Sequence, residues 1–204
     1  HYTEQRTCVV SKAFGAFKAD SGLVSSVVPA YWGRSGRLAK IDLIILHCTD
    51  GSESFQSAEN GAAYAARGNP DATGKLRPAS FHFIVDPNSI VQCVPEASTA
   101  YGAAKANARG IHVEFCGLAK QTAAQWADVG SDAEVRLGAK LFADICRRRN
   151  ITKRFLTGAD LKAGAANGIT THAEISKAWP STGHTDPGPN FPLKKFMDLV
   201  KQLP

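Results

Sequence analysis

No apolar run in this 204-residue chain is long enough to cross a bilayer, and no basic–apolar–small leader opens it. Five cysteines occur, at 8, 48, 93, 116 and 146, but no Cys-x-x-Cys pair. That excludes a zinc knuckle and a dithiol redox motif. The odd count and wide spacing give no disulfide framework. Three of the five sit in apolar, strand-like runs and read as buried thiols, which fits synthesis in a reducing cytoplasm. No clear internal repeat is present. Gly68 to Leu76 resembles a phosphate loop but has one residue too many between its glycines, and Leu76 where Ser or Thr would bind magnesium. Gly33-Arg-Ser-Gly36 lacks the spacing of a nucleophile elbow. The first residue is His rather than Met, as expected of a processed or excised piece of a larger product.

Basic charge is what the chain has in excess: 24 Lys and Arg against 18 Asp and Glu, a formal +6. Such a surface suits a polyanion, whether nucleic acid, anionic membrane or anionic cell wall, and charge alone does not choose among them. The densest run, Arg147 to Arg149, reads as the end of a helix, where cations complement the dipole.

Residues 1–39 have weak periodicity and several glycines, and read as an N-terminal arm. Ile41-Asp-Leu-Ile-Ile-Leu-His47 is a buried-strand pattern. Residues 54–67 are Ala-rich and helix-compatible. Residues 81–86 and 90–94 read as two strands joined by a turn at Asp86-Pro-Asn-Ser89, and residues 111–116 as another. Ser131 and Glu134 form a capping-box pattern opening a helix that Asn150 ends. Pro192 opens a last helix whose inner face is Leu193, Phe196, Met197, Val200 and Leu203. Residues 157–189, rich in Gly, Thr and Pro, read as one long functional loop containing His172. Strands and helices interleave, so the expected class is α/β: a central mixed β-sheet flanked by helices.

His47 at a strand end, His172, and His184 with Asp186 in Gly183-His-Thr-Asp-Pro-Gly-Pro189 supply enough donors for a zinc site with one open position. Their spacings alone identify no metal site. A strand-end histidine is usually structural, and the last cluster reads equally well as a polar turn.

Five segments in order carry a resemblance. They are Ile44-Ile-Leu-His47-Cys-Thr49, Phe81 through Gln92, Asn107 through Ile111-His-Val-Glu114, Thr171-His172-Ala-Glu174, and Asp186-Pro-Gly-Pro-Asn-Phe-Pro192. Together they resemble the motifs of the type 2 N-acetylmuramoyl-L-alanine amidases, the superfamily that includes peptidoglycan recognition proteins. The nearest flavour is the amidase module of phage endolysins of actinobacteria. The resemblance covers about residues 40–203 and implies a catalytic domain at 40–204 behind the arm.

The resemblance implies one Zn2+ per chain held by His47, His172 and Asp186. It implies Glu114 as the catalytic carboxylate and the bond between N-acetylmuramic acid and L-alanine as the target. In a strand, His112 and Glu114 share one face, opposite Ile111, Val113 and Phe115. His184 stands where the family often has Lys, and is expected to hold the oxyanion. A histidine there would titrate near neutrality, so activity should fall at alkaline pH. His184 is also the rival third ligand. His112 stands where Gly is usual and Tyr101-Gly102 where Trp-His is common. His82, Tyr101, Asn107 and His112 are the expected substrate contacts. The expected partner is peptidoglycan, with no nucleic acid, no membrane insertion and a monomeric state. The expected location is a host cytoplasm, without a signal peptide, before action on the wall. A non-catalytic peptidoglycan-binding module and a zinc peptidase cutting stem peptides are the alternatives.

Overall fold

In the computed structural model, which describes residues 14–180 and 183–204, one six-stranded sheet runs in the order β1-β4-β3-β5-β2-β6. Its strands are β1 (Ser26–Val27), β2 (Leu43–Cys48), β3 (Phe83–Val85), β4 (Ile90–Gln92), β5 (Gly110–Phe115) and β6 (Gly168–Thr171). β3, β5, β2 and β6 are mutually parallel, β4 is antiparallel to β3, and β1 is parallel to β4. Every residue of β2 is buried, as its continuous aliphatic run requires of a parallel strand covered on both faces. The expected mixed sheet with flanking helices is observed.

The β3–β4 turn is held by Asp86. Its Oδ1 accepts from the backbone N–H of Asn88 and Ser89, and its Oδ2 accepts from the N–H of Ala58. One buried carboxylate therefore closes the hairpin and anchors the first turn of α1 (Ser57–Ala66).

One sheet face packs on α3 (Val129–Arg149) and α6 (Leu193–Gln202). Phe115, Phe142, Phe191 and Phe196 meet there largely edge-to-face, at 4.9–6.2 Å between centroids. Gly138 of α3 makes room for the Phe115 ring, since a Cβ there would lie 2.2 Å from it. The other face is covered in two places, by α1 over β3 and β4 and by α5 (His172–Ala178) with α4 (Gly158–Lys162) beside β2 and β6. Between them the ends of β2 and β5 stay open.

Several boundaries differ from expectation. α3 starts two residues before Ser131, with Asp128 as cap, its Oδ1 accepting from Ser131 N–H at 2.8 Å. Glu134 does not turn back to cap the helix. It is buried, and its Oε1 accepts from Cys116 N–H. A short helix α2 (Ala123–Trp126) precedes it. The expected loop at 157–189 contains α4, β6 and α5, so His172 opens a helix. Arg148 and Arg149 at the end of α3 both bind the fully buried Glu96.

Within residues 14–39, β1 adds an edge strand to the sheet. Ser21 donates to Asp144 on α3, and the Asp20 carboxylate accepts from Gln92 and from Glu96 N–H. Cys48, Cys93, Cys116 and Cys146 are buried free thiols, and Cys8 lies outside the described residues. Among the described residues no helix is long and apolar enough to cross a membrane.

Candidate metal centre and groove

Parity builds the site. On β2, Ile45 and His47 share a face; on β5, His112 and Glu114 do; and the strands pair Ile45 with His112 and His47 with Glu114. β6 ends at Thr171, whose side chain accepts from Glu174 N–H and so caps α5. His172 therefore lies one step beyond the end of β6, beside His47. The loop before α6 docks on the same turn, because Ala173 N–H donates to the Asp186 carbonyl at 3.0 Å. Site residues gather at the carboxyl ends of parallel strands, as in open α/β sheets generally.

Three donors converge there. His47 Nδ1 lies 3.1 Å from His172 Nδ1 and 3.2 Å from Asp186 Oδ2, while His172 Nδ1 lies 3.2 Å from Asp186 Oδ1. Tetrahedral zinc ligands at about 2.0–2.1 Å stand roughly 3.3 Å apart, so the spacing and the two-imidazole, one-carboxylate chemistry both fit a zinc ion. Among the described residues no other group of three such donors comes together.

His184 stacks on His172, with ring centroids 4.1 Å apart. Its Nδ1 is 3.5 Å from Asp186 Oδ1, and its side chain is half exposed at the groove rim.

Glu114 faces the same groove but its Oε2 is buried without a hydrogen-bond partner. Burial, then the nearby charge of Asp186, pushes its carboxyl up to about 8. Asp186 is held well below the usual carboxylate range. Burial opposes its charge, but the hydrogen bonds and charges of His172 and His47 prevail. Burial lowers His47, against the pull of Asp186. The Cys48 thiol beside the site is pushed up to about 12, mainly by burial, and stays protonated at neutral pH.

The groove holds about 600 Å³ and runs between Tyr64 and Phe81 on one side and His172 and His184 on the other. Of the four expected substrate contacts, only Tyr101 lines it. His82 and His112 are fully buried, and Asn107 turns its Oδ1 inward to accept from the N–H of Gly102 and Ala103. These three lie outside the groove lining, with Asn107 only half-buried. Parity placed His112 on the site face, but the segment around Gly102 covers it. Tyr64, Asn69 and Ser80 had no motif to announce them as groove lining, and Phe81 opened a segment read only as a strand.

The family model of the N-acetylmuramoyl-L-alanine amidases matches residues 37–189. The chain belongs to that family. The amidase has structural likenesses across the group. Staphylococcus aureus hydrolase AmiA, solved in complex with its ligand, superposes with TM-score 0.65 at 19% identity, covering 91% of this chain and 84% of that one. A mutant endolysin from Bacillus subtilis gives 0.56 at 21%, covering 87% and 99%. The amidase LysC from Clostridium intestinale URNW gives 0.54 at 15%, covering 86% and 97%. At such identities the likeness speaks for the fold. Comparison with curated protein sequences found no significant match. The family and fold together make the chain an enzyme of peptidoglycan amide hydrolysis.

Proposed function

We propose that this amidase is zinc-dependent and cuts the bond between N-acetylmuramic acid and L-alanine, as the lytic module of a phage endolysin. The observation that carries the reading is the convergence of His47, His172 and Asp186 at the groove floor beside the unpartnered Glu114. The donor set leaves a position open, and zinc bound there would supply Lewis acidity toward a water and the amide carbonyl.

The chain's own groups then divide the work. Glu114, facing the groove with an unpartnered oxygen, takes the proton of the attacking water in its ionised form. It later hands that proton to the departing L-alanine nitrogen. His184, on the rim and stacked against His172, donates a hydrogen bond to the oxyanion. Tyr101 and the wall from Tyr64 to Phe81 position the glycan and its stem peptide, which need an open groove. The +6 charge favours retention on an anionic wall and is sensitive to salt. The working unit is a monomer that acts on the wall after release, with no nucleic acid partner.

Mass spectrometry of digested walls tests this. New free amino groups on L-alanine are expected. Cuts confined to the stem peptide would make it a zinc peptidase, and binding without any product would make it a recognition module.

A further inference from the structure

Two fully buried residues, His112 and His82, and the half-buried Arg37 lie behind the metal centre, outside the groove lining. His47 has two ring nitrogens with different tasks. Nδ1 faces His172 and Asp186, and Nε2 lies 3.0 Å from His112 Nδ1. A neutral imidazole carries one proton. For His47 Nδ1 to offer a lone pair, the proton must sit on Nε2, and the acceptor within reach is His112 Nδ1.

His112 is itself held on several sides. Its backbone N–H donates to His82 Nδ1 at 3.0 Å. A backbone N–H can only donate, so His82 Nδ1 accepts there, while His82 Nε2 also lies 3.0 Å from Ser98 O. The two rings stack nearly parallel, at 8° and 5.7 Å. Arg37 Nη2 lies 2.8 Å from His82 Nε2, and its guanidinium is fixed by the carbonyls of Glu96 and Gly110. That charge opposes a second proton on His82. Gly102 covers the His112 ring from the groove side. A Cβ there would lie 2.6 Å from His112 Nδ1, so the ring fits because residue 102 has no side chain. Asn107 pins this cover through the N–H groups of Gly102 and Ala103. His112 Nε2 is buried with no partner, a cost that packing alone does not explain.

We propose that His112 is a positioning residue for His47: its Nδ1 accepts the His47 Nε2–H and fixes the tautomer and ring angle that turn Nδ1 toward His172 and Asp186. Gly102 supplies the space and His82 the backing. The inference rests on the zinc reading above. Partners behind a metal-binding histidine commonly change metal affinity by about 10–100-fold when removed.

The test is zinc affinity by competition with a chromogenic chelator, together with the visible spectrum of the cobalt(II)-substituted protein. Four proteins are compared: wild type, His112→Leu, His112→Asn and Gly102→Ala. His112→Leu removes the acceptor and should weaken zinc about 10–100-fold while changing the cobalt spectrum. His112→Asn keeps an oxygen near the Nδ1 position and should recover most of both. Gly102→Ala pushes the ring away and should shift both in the direction of His112→Leu. Wild-type affinity and spectrum in His112→Leu would overturn the proposal, as would equal losses in the Leu and Asn variants. If His112→Leu fails to fold, Gly102→Ala decides: unchanged affinity and spectrum there overturn it. Failure of wild type to bind zinc at all would instead sink the zinc reading and this inference with it.

Discussion

The two faces of β2 and β5 share a backbone and carry opposite chemistry. One presents Ile44, Leu46, Ile111, Val113 and Phe115 to α3 and α6, with every side chain buried in apolar packing. The other presents His47, His112 and Glu114, of which two hold buried polar atoms with no partner. Neighbouring residues of one strand thus serve stability on one side and chemistry on the other. Polar groups left unpaired inside a protein cost stability, and they are tolerated where function uses them. Changes on the two faces should therefore separate cleanly, one moving stability and the other activity.

The largest separation is expected from Glu114→Gln. Steady-state turnover of wall fragments should fall about 10²–10⁴-fold, as for loss of a general base. Zinc content and thermal midpoint should stay near wild type, and a collapse of stability would merge the two faces. On the apolar face, Phe142→Ala should cost about 3–5 kcal/mol in urea unfolding while the folded fraction keeps its turnover. Gly138→Ala is smaller in chemistry but forces a Cβ into the Phe115 ring. It should cost about 1–3 kcal/mol by overpacking, despite the better helix propensity of Ala.

The smallest effect sharpens the comparison at its exception, Glu134. This carboxyl sits among the apolar packing of α3, and burial, then Glu53, raises its pKa well above the ordinary value. A raised pKa means the folded state holds the proton longer than the unfolded one. Its stabilising share is full below about pH 4.5 and is lost as pH rises through the folded value. Stability of wild type should therefore decline with rising pH relative to Glu134→Gln. Parallel pH profiles in chemical denaturation would contradict this.

Much of this division was legible beforehand. The run ending at His47 and the alternation around Glu114 specify a face by parity, whatever the tertiary packing. The closing Asp186 segment was legible through its Pro- and Gly-rich motif. α4, β6 and α5 were not, because they span five, four and seven residues, too short for a periodic signal. Local signals existed all the same. Thr157 with Asp160 forms a capping box, and Thr171 caps α5 at His172. Depth along a strand was the harder quantity. His112 and Glu114 have the same parity, and what separates an interior group from a groove group is the cover at Gly102, some ten positions earlier in sequence. A missing side chain leaves no pattern of its own. The place of Arg37 behind His82 was illegible for a related reason. Apart from His82, its partners are backbone carbonyls, which every residue has.

Anomalous diffraction at the zinc edge, from crystals of the full chain grown with zinc, tests the central claim most directly. The account predicts one peak per chain within about 2.0–2.2 Å of His47 Nδ1, His172 Nδ1 and an Asp186 carboxylate oxygen, with His184 outside that distance. No peak there, or a peak bound by His184 in place of His172, would contradict it.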